Sequence, residues 1–141
     1  MSYLLDTNVV SELRKRPAFA DPRVRAWAES HTDDTSFLSV VTIMEIELGI
    51  ALRDRKDPKA AALLRAWLDD DLLVAYHRRL LDVTLSVARR AAHLHVPDPM
   101  EERDGLIAAT ALINNLTLVT RNTKHFERTG VPLLNPWEFE G

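Results

Sequence analysis

Residues 3 to 10 read Tyr-Leu-Leu-Asp-Thr-Asn-Val-Val, an apolar run that stops at three short polar residues and then turns apolar again. Tyr3 to Leu5 is short, apolar and bounded by turn-formers, which predicts a buried strand. Val9, Val10 and Leu13 then recur at helical spacing, and Arg14-Lys15-Arg16-Pro17 brings the basic residues and proline expected at a helix end. Asp6-Thr7-Asn8, at the junction, has two readings. It is a helix cap made by the residue types that favour that position, or it presents a carboxylate at the carboxyl end of a parallel strand, where ligands gather in open α/β sheets.

The same alternation continues along the chain. Asp21-Pro22 opens a helix with Val24, Trp27 and Ala28 on one face, and residues 37–39 form a second short strand. Residues 41–53 are helical, and Pro58 starts a helix with a stripe of Ala60, Leu63, Leu64, Trp67 and Leu68. Residues 72–75 are expected as a third strand. Residues 82–95 are expected as a helix faced by Val83, Val87, Ala88, Ala91 and Leu94, interrupted by Pro97-Asp98-Pro99. A helix over 105–112, a strand over 116–120 and a last strand within 131–134 complete the pattern. Strands alternating with helices predict one α/β domain spanning residues 1–141, with a central parallel sheet flanked by helices on both faces. No internal repeat or linker interrupts it.

The totals narrow the chemistry. With 18 basic and 21 acidic side chains, the formal charge of -3 lacks the strongly basic balance of a general polyanion binder. Contacts to nucleic acid must then come from local patches. The chain has no cysteine, so disulfides and thiolate metal sites are excluded and oxygen donors or histidine remain. No apolar run approaches the length of a membrane span, and the start lacks a signal-peptide pattern, so a cytoplasmic protein with no membrane partner is expected.

Two further acids stand where apolar residues belong. Three, four and seven positions after Glu45 come Leu48, Gly49 and Leu52, which places this carboxylate on a side expected to face the core. Glu47 points elsewhere and reads as a solvated helix residue. Asp104 heads a cleaner face made of Ile107, Ala108, Ala111 and Leu112, although an acid in a first helical turn is also favoured by the helix dipole. Glu101 and Glu102 fit that dipole role.

If Asp6, Glu45 and Asp104 converge at the strand ends, their mutual repulsion demands either protonation or a cation. Two unit charges about 4 Å apart repel by about 4 kcal/mol at an effective dielectric near 20. Mg²⁺, with Mn²⁺ as the alternative, suits an all-oxygen cluster and keeps coordination positions open for a phosphate oxygen and a water. That points to phosphodiester hydrolysis. The segment 118–126, with Thr120, Arg121, Asn122, Lys124 and His125, follows a strand and reads either as a phosphate-holding turn or as a solvated cap.

Taken in order, Leu5-Asp6-Thr7-Asn8-Val9, Ser39 with Thr42, Glu45, Leu48 and Gly49, Asp104-Gly105-Leu106-Ile107-Ala108-Ala109-Thr110-Ala111, and Val119-Thr120-Arg121-Asn122-Thr123-Lys124-His125-Phe126 resemble the PIN-domain nucleases, and within them toxins of the VapC and FitB type. The resemblance spans essentially the whole chain. It implies a Mg²⁺- or Mn²⁺-dependent endoribonuclease, the toxin of a type II toxin-antitoxin pair. It also implies a homodimer and a VapB-like antitoxin that alone reads the promoter DNA. Carried over, Asp6, Glu45 and Asp104 are the metal-site acids, and Thr7, Asn8 and Thr120 support them. Many relatives place a further aspartate where this chain has Asn122 and His125, so Asn122 becomes the fourth catalytic candidate through its amide oxygen.

Arg14, Lys15, Arg16, Arg121 and Lys124 are the candidates for the RNA backbone. His93 and His95, two apart on one helix, do not face each other, and His31 and His77 read as surface residues. Two rivals stay open. One is a PIN module that acts only through its antitoxin complex. The other is a metal-dependent phosphatase with Asp6 as nucleophile, although Asn8 stands where such enzymes carry a second aspartate.

Overall fold

The computed structural model describes residues 1–141. Five short strands, β1 (Tyr3–Leu5), β2 (Ser36–Ser39), β3 (Leu80–Leu81), β4 (Thr117–Val119) and β5 (Leu133–Leu134), form one sheet in the order β3-β2-β1-β4-β5. Every pairing is parallel, with Tyr3 opposite both Ser36 and Thr117, and Val119 opposite Leu134. Parallel neighbours need crossovers, and helices supply them. These are α1 (Thr7–Arg14), α2 (Pro22–Glu29), α3 (Val40–Asp54), α4 (Pro58–Ala66), the single turn α5 (Leu73–Ala75), α6 (Leu85–Leu94), α7 (Glu102–Ile113) and α8 (Thr123–Phe126). The predicted α/β class is the one observed.

Successive strand residues point to opposite sheet faces, and here both faces are apolar. Leu5 and Val119 pack with Val9, Val10, Trp27, Leu38 and Leu68 on one side. Leu4 and Leu118 pack with Ile107, Ala108, Ala111 and Phe126 on the other. The order of strand addition reverses at β1, because β2 lies on one side of it and β4 on the other. The carboxyl ends of β1 and β4 therefore flank a switch point of the sheet.

Several expectations are corrected. Residues 72–75 are helical, because the stripe of Leu64, Leu68 and Leu72 runs on without a breaker through a wide turn over Trp67–Leu72 into α5. The edge strand comes later, at Leu80–Leu81. Leu48 and Leu52 face outward with Met44 rather than into the core, being 47%, 58% and 50% exposed. The helix periodicity is real, but Val41, Thr42 and Ile50 define the buried side. On α4 Leu63 is likewise exposed while Ala61 is buried. The helix expected from residue 82 begins at Leu85, capped by the Thr84 hydroxyl, and Val83 and Ala88 lie outside its buried face. Helix α7 begins three residues earlier than expected, because the Glu101 carboxylate accepts from the Asp104 amide at 2.9 Å. His31 is no simple surface residue, since it stacks beside Tyr3 and Trp27 and lies 3.1 Å from the Ser36 hydroxyl.

Candidate active site

Asp6 ends β1 and caps α1, so both readings of the opening stretch hold together. Its amide donates to the Val119 carbonyl of β4 at 2.9 Å, which continues the sheet ladder one residue past the strand. Its Oδ1 accepts from the Thr7 amide at 2.8 Å, while Oδ2 accepts from the Thr120 hydroxyl at 2.8 Å and the Asn8 amide at 3.4 Å. Burial pushes the Asp6 carboxyl up, and these donors pull it back. A carboxylate 6% exposed is kept at the sheet end by hydrogen bonds aimed at it.

Thr7 links this acid to the second. Its hydroxyl donates to Glu45 Oε1 at 2.8 Å and lies 3.2 Å from the buried Thr42 hydroxyl. Glu45 sits in the second turn of α3, whose start is set by the Ser39 side chain accepting the Val41 amide at 3.0 Å. Asn8 and Thr120 form the opposite wall. The Asn8 side chain donates to Thr120 Oγ1 at 3.3 Å and accepts the Arg121 amide at 3.3 Å, and the Asn122 amide donates to Thr120 Oγ1 at 3.1 Å.

Asp104 enters from the first turn of α7, half-buried. Burial first, then the negative charges of Asp6 and Glu101, push its carboxyl up to about 6; His125 pulls it down, and the push from Glu45 is smaller than that pull. Asp6 and Glu45 are joined through Thr7, and Asp104 stands close enough to both to feel their charge. His125 Nδ1 lies 3.7 Å from Asp104 Oδ2. Arg103 reaches Glu45 at 3.8 Å and Glu101 at 3.5 Å.

The donor set fits a hard divalent cation. All three acids offer carboxylate oxygens, and their repulsion is what such an ion relieves. No three His, Asp or Glu side chains close into a ready-made ligand cage.

The remaining candidates divide. Asn122 joins the site through its backbone amide, while its exposed side chain makes no cap bond, and His125 is the side chain that reaches Asp104. Arg14 lines the cleft beside Glu45. Lys124 is exposed on α8, Arg121 lies over the Trp137 ring at 5.0 Å, and Lys15 is drawn to Glu12 at 2.9 Å. Arg103 and Thr42 join the site without having been assigned a role in it; Thr42 stands in the motif with Ser39 and Glu45, and Arg103 immediately before Asp104. Glu47, read as solvated, is bound by both Arg65 guanidinium nitrogens at 2.7 and 2.8 Å, which ties α3 to α4.

A parallel sheet presenting acids from three elements at its switch point is the arrangement of a PIN domain, and the PIN-domain model matches residues 3–132. The chain belongs to the PIN-domain family. It is 37% identical to toxin FitB of Neisseria gonorrhoeae over 95% of this chain and 97% of that one. It is 34% identical to a VapC ribonuclease of Sinorhizobium fredii, covering 96% of this chain and 97% of the relative. The crystal structure of FitAcB from Neisseria gonorrhoeae superposes with a TM-score of 0.86 at 34% identity, over 97% of this chain and 99% of that one.

Proposed function

We propose that this protein is the toxin of a toxin-antitoxin pair and acts as a Mg²⁺-dependent endoribonuclease, with Mn²⁺ as a substitute ion. The observation that carries the reading is Thr7, whose amide donates to Asp6 and whose hydroxyl donates to Glu45 at the end of β1, with Asp104 near enough to share the charge of both acids. The names of relatives that align over nearly the whole chain, a VapC ribonuclease and a FitB toxin, support the substrate class and the biological role.

Asp6, Glu45 and Asp104 would hold the ion, which when bound supplies a water of lowered pKa and neutralises charge on the phosphodiester. The chain's own residues do the positioning. Thr7 orients Glu45, while Thr120 and Asn8 fix the Asp6 carboxylate and offset part of the upward push of burial on it. Arg103, paired with Glu45 and Glu101, would offer its charge to the phosphate, and Lys124, exposed on α8, is a further candidate for it. No histidine is required as a base.

The partner follows from the same relatives. An antitoxin of the VapB type would cover the cleft and carry promoter recognition, consistent with a solved FitAB complex bound to an IR36 DNA fragment. We extend the proposal to a homodimer, to be checked by sedimentation. No helix is long and apolar enough to cross a membrane.

Antitoxin-free protein incubated with total bacterial RNA and Mg²⁺, with new ends mapped by sequencing, tests the reading. Discrete ends that vanish with EDTA and with Asp104→Ala are expected. A folded sample giving no ends with either ion would favour the module that acts only through its antitoxin complex. Phosphomonoester hydrolysis without RNA cleavage would favour the phosphatase.

A further inference from the structure

One cleft joins the acidic centre to a surface that the reaction itself does not use. It holds about 260 Å³ and is lined by Thr7 and Glu45 at one end and by Ser11, Arg14, Arg53 and Trp67 beyond them. The Arg14 guanidinium lies over the Trp67 indole at 5.8 Å, the outer reach of a cation–π contact. Arg53 stands two helical turns along α3 from Glu45, on the same side, and also borders the adjoining groove with Arg55 and Lys56. Neither Arg14 nor Arg53 is held by a salt bridge to an acid, whereas Lys15 and Arg65 are. An otherwise acidic protein thus collects, beside Glu45, two arginines with no acid partner and a partly buried indole that packs against the core and borders the cleft.

We propose that this cleft is a nucleotide subsite, in which an unpaired base of the RNA next to the cut stacks on Trp67 while Arg14 and Arg53 hold the flanking phosphates. The inference rests on the ribonuclease reading above and adds where the strand runs: from the acids, along the α1 side of α3, toward Arg55 and Lys56. Three features select single-stranded RNA as the occupant. Cations line the path and complement a phosphodiester backbone, the indole provides a sequence-tolerant stacking face, and the cleft opens directly onto the carboxylates. A double helix keeps its bases stacked inward and gives Trp67 nothing to receive.

The probe is a fluorescent 2′-O-methyl RNA of mixed sequence, bound in EDTA and read by anisotropy, so that binding is measured apart from cleavage. Trp67→Ala is expected to weaken binding on the order of tenfold or more, with Trp67→Phe restoring most of it, as stacking requires. Arg14→Gln and Arg53→Gln should each weaken binding across all sequences and reduce the salt dependence by about one phosphate contact. These two exposed substitutions keep the test decisive even if Trp67→Ala fails to fold. Unchanged affinity and salt slope in both arginine variants would overturn the subsite. So would Trp67→Ala leaving RNA affinity intact while shifting the sedimentation coefficient or the antitoxin affinity, because the cleft would then be a protein interface. Binding that depends on Trp67 in a protein that cuts no RNA would keep this inference and refute the nuclease reading. Cleavage with an unchanged pattern and affinity in all three variants would do the reverse.

Discussion

Asp104→Asn is expected to stabilise the metal-free protein at neutral pH. The folded chain holds the Asp104 proton up to about pH 6, whereas an unconstrained aspartate releases it near 3.8. Between those values the folded state binds more protons than the unfolded one, so stability falls as pH rises through the window. The full difference corresponds to about 3 kcal/mol at pH 7. Solvent reaches 25% of the side chain, and an acid in a first helical turn regains about 0.5 kcal/mol from the dipole. A working value of about 1–2 kcal/mol remains, or about 3–8 °C in Tm for a domain of this size. Thermal unfolding followed by circular dichroism in EDTA is the assay. At pH 7.5 the variant should melt above the wild type, the gap should shrink severalfold at pH 4.5, and Mg²⁺ should raise the wild-type Tm more than the variant's. A variant melting at or below the wild type at pH 7.5, or an advantage independent of pH, would refute the reasoning that burial, with Asp6 and Glu101 nearby, disfavours ionised Asp104.

Thr7→Ala removes the hydroxyl joining the β1 end to Glu45, and cleavage should fall about 10- to 100-fold, the usual cost of losing a partner that orients a metal ligand. Initial-rate assays across Mg²⁺ concentrations check it. Thr120→Ala takes the 2.8 Å donor from a buried carboxylate, so urea unfolding should show a loss of about 1–3 kcal/mol, larger where Asp6 is ionised than at acid pH, where it is protonated. Phe126→Ala, at a fully buried ring just past the site, should cost about 3–5 kcal/mol in the same assay and reduce activity through lost fold.

Strand ends and caps were legible because they depend on neighbours in the chain. Leu5-Asp6-Thr7 announces a strand, a stop and a helix within three residues, and Asp21-Pro22 announces a helix start. Asp104 was legible too, since an acid heading Ile107, Ala108 and Ala111 conflicts with the face it shares. Glu45 was picked for a partly mistaken reason. Leu48 and Leu52 were assigned to the core by periodicity, but a helix whose residues are apolar on more than one side does not state which side is covered, and here Val41, Thr42 and Ile50 are. Residues 72–75 failed for a related reason, because a four-residue apolar run fits a strand or the end of a long helix equally well. Arg103 beside Glu45 and His125 beside Asp104 join elements 58 and 21 residues apart, respectively. Only the assembled sheet brings those pairs together.

The hydrogen bond between Asp6 and Thr120 spans 114 positions of the chain. During synthesis, β1 is made long before its neighbour β4. Until β4 follows, the first acid has no threonine donor and no completed strand beside it. On the proposed reading, a nuclease born on a machine built of RNA therefore stays inert until β4 has been made. Proteolysis of ribosome-bound chains stalled before and after β4 should show the protected core only in the longer ones.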